Sequence, residues 1–95
     1  MSNALVDMLP AMRALANPHR AQIMDWLLAP TEHFPPQRDG SRIKDGICVG
    51  LITDKCGLSQ PTVTSHMKAL EGAGLVTSKK IKNWVFYKAE LAQLQ

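Results

Sequence analysis

Ninety-five residues, 45% of them hydrophobic, suit one small domain with a real core, and at this size a second copy of the chain commonly supplies missing burial. No apolar run approaches the roughly 18–20 residues of a membrane span. The N-terminus has no charged start followed by an apolar core, and two cysteines make no disulfide framework, so a cytoplasmic protein is expected. The formal net charge of +3 is unevenly spread: residues 1–74 hold seven Lys/Arg and seven Asp/Glu, whereas 75–95 hold Lys79, Lys80, Lys82 and Lys88 against Glu90 alone. A surplus confined to one short segment is the electrostatic footprint expected of a nucleic-acid-binding surface.

Residues 1–6 read as a loose end. Asp7 can cap a short helix carrying Met8, Leu9, Met12, Leu15 and Ala16, with Pro10 near its start; a helix beginning earlier should kink at Pro10. This helix has more apolar surface than a small domain needs, so it is expected to pack on something beyond its own core. Asn17-Pro18 is a capping residue followed by proline at the first helical position. The second helix should run to about Ala29, close at Pro30, and face the core with Ile23, Met24, Leu27 and Leu28, with Trp26 as a packing residue.

Residues 30–46 contain three prolines and two glycines in seventeen positions, which argues against a regular helix. They read as a loop insertion in which Arg38, Arg42 and Lys44 alternate with Asp39 and Asp45, pinned by Phe34 and Ile43. Residues 47–56 read as a short third helix with Ile47, Leu51 and Ile52 inward, ended by Gly57.

The stretch Gly57–Val76 carries the most information. Ser59 is a suitable N-cap, Pro61 falls in the first turn, where its missing N–H costs nothing, and Gly72 and Gly74 supply a stop. Val63, Met67 and Leu70 recur at helical spacing and form an apolar stripe. The opposite face, Gln60, Thr62, Thr64, Ser65 and Lys68, holds no acid before Glu71. Such side chains can read base edges in a major groove or hold phosphates. A short helix, a glycine-containing turn and this helix make a helix-turn-helix. Beyond it, Val76–Lys79 and Trp84–Tyr87 read as strands around a turn at Lys80–Asn83, with the lysines at its tip and a leucine-bearing helical tail.

The order of elements is that of a winged helix-turn-helix: mainly α with a small β-hairpin (α-α-α-α-β-β-α). The stretches MRALANPHRAQIMDWL, GLSQPTVTSHMKALEGAGLV and KNWVFYK cover most of the chain outside 30–46. In them the sequence resembles the arsenical-resistance-repressor (ArsR/SmtB-type) bacterial regulators. The resemblance implies a single domain over 1–95, with a recognition helix at 59–73 and a wing at 75–88. It also implies a homodimeric transcriptional repressor of an inverted-repeat operator in double-stranded DNA. The first and last helices would form the dimer interface through Leu5, Met8, Leu9, Met12, Leu91 and Leu94. Gln60, Thr62, Thr64 and Ser65 would reach base edges or the groove floor, Ser59 and Lys68 would meet phosphates, and Lys79, Lys80 and Lys82 would hold the backbone. His66 resembles a family histidine beside an apolar position and is expected to be packed and hydrogen-bonded.

Many members of that family release DNA on binding a metal. One such site uses a Cys-x-Cys pair with a further thiolate; here Cys48 is present, and Gly50 and Thr53 stand at the other two positions. A second type needs Asp and His on the last helix, and residues 88–95 contain neither. No metal site and no cofactor are expected, and the effector is unknown. Cys48 and Cys56 are read as inert buried thiols, with a redox-responsive Cys48 pairing across a dimer as the sharper alternative. A winged-helix protein-interaction module is the competing function. An enzyme is disfavoured because no nucleophile–base pair, paired carboxylates or phosphate-cradling glycine loop occurs.

Overall fold

The computed structural model describes residues 3–90; Leu91 and Leu94 lie outside them. The first helical segment, α1, spans Ala4–Asp7, and α2 spans Leu9–Leu15. Asp7 is the last residue of α1 rather than a cap of α2. The helix begins earlier than that cap implied, and the axis breaks at Met8, because Pro10 has no N–H for the Val6 carbonyl. Ala11 and Ala14 are buried, whereas Leu5, Val6, Met8, Leu9 and Met12 remain 39–74% exposed.

Helix α3 (Pro18–Leu28) starts at Asn17, whose side-chain oxygen accepts from the His19 and Arg20 amides at 3.0 and 3.2 Å. Pro30 does not simply close it. After Ala29 the proline opens a single turn, α4 (Pro30–His33), a position where its fixed φ is tolerated. Phe34 is then buried and meets Trp26 edge-on at 6.4 Å, with Lys55 over both rings. The insertion is thus pinned by Phe34, while Ile43 is 68% exposed and pins nothing.

Residues 47 and 48 correct the sequence reading. Ile47–Cys48 are a short strand, β1, and helix α5 (Val49–Cys56) begins only after it. Helix α6 (Gln60–Gly72) follows a turn through Gly57 and is capped by Ser59. Its end is a complete Schellman arrangement: Gly74, at φ 77°, donates to Glu71 O, and Leu75 donates to Leu70 O.

Strands β2 (Val76–Ile81) and β3 (Trp84–Ala89) close the described residues. The sheet order is β1-β3-β2, antiparallel throughout. The hairpin loop is two residues, Lys82-Asn83, rather than four, because Lys80 pairs with Val85 and Ile81 with Trp84. Lys82 takes φ 56° there, in keeping with the primed turns that suit strand twist. The core lies where Ile23, Met24 and Leu27 of α3, Ile52 of α5, Val63, Met67 and Leu70 of α6, and Ile47, Val76 and Tyr87 of the sheet converge.

Candidate nucleic-acid interface

Helix α6 divides sharply. Val63, Met67 and Leu70 are fully buried, whereas Gln60, Thr62, Ser65 and Lys68 are exposed. The exposed face has no acid in its first turn and none before Glu71. Thr64 is half-buried and so stands back from this row. The Ser59 hydroxyl caps the Thr62 amide at 3.4 Å and lies 2.8 Å from the Thr62 hydroxyl. Both are still open to a further partner, because each residue is exposed.

His66 joins α6 to α3. Its Nδ1 accepts from Arg20 Nε at 3.2 Å, its ring lies 5.7 Å from that of His19, and the Arg20 guanidinium also reaches Ala14 O. Burial, the adjacent Arg20 charge and His19 together hold the His66 pKa below its usual value of 6.5. At the other end of α6, Ser78 of β2 donates to Glu71 at 2.5 Å and ties the helix to the wing.

The wing lysines are not gathered at a tip. Only Lys82 lies in the turn, while Lys79 and Lys80 are strand residues on opposite faces of β2. Lys79 pairs with Asp45 at 2.7 Å and Lys82 with Asp39 at 3.0 Å. The hydrogen bond from Lys79, followed by that from the Ser41 amide, lowers the Asp45 pKa. Among the described residues Lys80 and Lys68 make no ion pair. These pairings leave no local signal in the sequence, because the partners stand 34 and 43 positions apart.

Cys48 sits immediately before α5 and Cys56 ends it, both half-buried. Opposite ends of an eight-residue helix are about 12 Å apart, too far for a direct disulfide. Burial raises the Cys56 pKa. Among the described residues, no three His, Cys, Asp or Glu side chains are grouped to hold a metal. Cys48 alone does not fit the thiolate set of the family's metal site.

A sequence profile of bacterial regulatory proteins of the arsR family matches residues 46–78, from β1 through α5 and α6 into β2. The uncharacterised HTH-type transcriptional regulator YbzH of Bacillus subtilis is 33% identical over 85 residues, spanning 90% of this chain and 85% of YbzH. The chain belongs to the ArsR family. Among solved structures, this ArsR-family fold is similar to HlyU of Vibrio cholerae, with TM-score 0.72 and 26% identity over 95% of this chain and 82% of that one. It is also similar to a homodimeric winged helix-turn-helix DNA-binding domain from Mycobacterium bovis. The TM-score there is 0.68 and the identity 26%, over 94% of this chain and 72% of that one. This ArsR-family chain is therefore a transcriptional regulator with a DNA-binding winged helix, and not an enzyme. No helix among the described residues is long and apolar enough to cross a membrane.

Proposed function

We propose that this regulator is a cytoplasmic, homodimeric, sequence-specific repressor of an inverted-repeat operator, acting without a metal site. The observation that carries the reading is the exposed face of α6, which holds no acid before Glu71, set on a helix whose other side is fully buried. Gln60, Thr62 and Ser65 would read base edges, with Thr64 at the margin, while Ser59 and Lys68 would meet phosphates. Lys79, Lys80 and Lys82 would serve the wing's backbone contacts, with Lys80 the lysine already free to do so. Dimerisation is supported by the exposed Leu5, Met8, Leu9 and Met12 and by the homodimeric Mycobacterium bovis domain. Leu91 and Leu94 are proposed to join that interface. A two-fold dimer carries two copies of α6, so its half-sites should lie about 34–36 Å apart or a multiple of it.

The test is selection of bound fragments from genomic DNA, followed by titration of the recovered duplex at several salt concentrations. Log affinity should fall against log salt by about 0.9 per phosphate contacted, and the recovered sites should share an inverted repeat. A flat salt dependence, or no enrichment, would favour a winged-helix module that binds protein instead. The pairing of Lys79 and Lys82 with carboxylates of their own chain gives that second reading some support.

A further inference from the structure

The β2–β3 register sorts the wing into two faces. Val76, Ser78, Lys80, Val85 and Tyr87 look toward the helices, and Thr77, Lys79, Ile81, Trp84 and Phe86 look away. In a bare hairpin that second face would be open to solvent. Here the 37–46 loop is seated on it. A Cβ at Gly40 would lie 3.2 Å from both the Ile81 and the Phe86 side chains, and Phe86 is 2% exposed. The loop is held at its base by Gln37, whose amide donates to Gly46 O at 2.9 Å and accepts from the Cys48 amide at 2.7 Å. From this fixed base Asp39 and Asp45 project onto Lys82 and Lys79.

We propose that the 37–46 loop is an internal competitor for DNA at the wing: Asp39 and Asp45 occupy Lys82 and Lys79 as backbone phosphates would. This rests on the DNA-binding reading above. The lysines are the more exposed partners, with side chains 53% and 70% exposed, whereas Asp45 and Asp39 are 13% and 25% exposed. Asp45 is further fixed by the Ser41 amide at 2.7 Å. Held against these carboxylates, both lysines are already neutralised and add no phosphate contact in the wild-type complex. The loop consequently weakens wing binding without blocking it. Its own Arg38 and Lys44 are exposed, so the competition is local to two lysines and is not an overall neutralisation of charge.

The experiment titrates the full chain against a mixed-sequence duplex across a salt series. Asp39→Asn with Asp45→Asn should bind more tightly and steepen the salt slope by about 1.8, two contacts at about 0.9 each. That corresponds to a roughly tenfold greater loss of affinity between about 50 and 200 mM salt. Asp25→Asn with Glu32→Gln, which changes the net charge equally at exposed sites, should leave the slope unchanged. Lys79→Gln with Lys82→Gln should do little in the wild-type chain and should abolish the gain in the Asn pair. An Asn pair no steeper than the charge control overturns the proposal. So does a wild-type slope that already falls by about 1.8 when the two lysines are removed, a result that needs no Asn variant to fold. If wild-type does not bind but the Asn pair does, the competition is supported in its strongest form. If neither binds, the DNA-binding reading and this inference fall together, whereas normal wild-type binding with unaltered variants sinks the inference alone.

Discussion

Gly46 offers a test of how the sheet is assembled. Its φ is 95°, and a methyl group there would overlap the Tyr87 carbonyl oxygen on β3. Gly46→Ala therefore faces two costs. The left-handed conformation costs an L-residue roughly 1–2 kcal/mol. The collision forces β1 away from β3 and endangers their pairing at Ile47–Tyr87 and Cys48–Phe86; losing two ladder hydrogen bonds costs about 1 kcal/mol net each. Together these give about 3–4 kcal/mol, or a fall in Tm of roughly 12–30 °C at about 4–8 °C per kcal/mol for a domain of this size. Gly50 is the internal comparison. It lies in α5 with ordinary φ, and the nearest atom to an added Cβ is Cys48 Sγ at 3.9 Å. Gly50→Ala should stabilise by about 0.5–1 kcal/mol, since alanine is the better helix former. Urea unfolding followed by the fluorescence of Trp26 and Trp84 reads both variants. If the two substitutions shift the midpoint in the same direction, or Gly46→Ala stays within about 0.5 kcal/mol of wild-type, the account of β1 is wrong.

Other outcomes follow from the same geometry. Asn17→Ala removes the acceptor for two first-turn amides and should cost about 1 kcal/mol in chemical unfolding; an unchanged midpoint would mean that water replaces the cap fully. Met12→Glu places a charge in the exposed α1–α2 apolar surface. If the proposed dimer forms there, sedimentation should show the variant as monomer at concentrations where wild-type sediments as dimer, and a variant that still dimerises would move the interface elsewhere. Because folding lowers the His66 pKa below 6.5, the unfolded chain takes up the proton first. Its contribution to stability is thus complete above pH 6.5 and is lost as pH falls from there to the folded pKa. His66→Gln should reduce that acid-side loss in urea midpoints measured from pH 7.5 down to about 5; an identical pH profile would separate His66 from the effect.

What was legible in the sequence was mostly what is settled within a few residues. Ser59 and Asn17 could be read as caps because a capping side chain bonds amides two or three positions on. The stop at Gly74 and the Val63–Met67–Leu70 stripe are equally local. The stretch at 47–48 was read as helix because two residues show no period, and what makes them a strand is Tyr87 and Phe86, some forty positions away. The turn expected over Lys80–Asn83 shortens to two residues because Val85 and Trp84, across the hairpin, hold Lys80 and Ile81 in the ladder. On the polar row of α6, residue type and spacing separated the buried positions from the exposed ones, but they did not show Thr64 stepping back toward the core.

The charge surplus at 75–95 shows why a segment's sum can mislead about its surface. The lysines stand there as the sequence has them, yet the loop brings Asp39 and Asp45 to two of them. Gly46-Ile47-Cys48 is where these parts meet: Gly46 and Cys48 bond the Gln37 side chain, Ile47 enters the core, and Cys48 leads into α5. The same three residues thus anchor the loop, pair with the wing and begin the helix-turn-helix. A change in the loop's hold on the lysines therefore has a direct mechanical route to the wing through β1–β3. α6, packed by Val63, Met67 and Leu70 and tied to α3 through His66 and Arg20, is itself joined to the wing where Ser78 bonds Glu71. On the proposals above, bases are read from α6 and affinity is adjusted at the wing, and the insertion reaches only the second through Asp39 and Asp45.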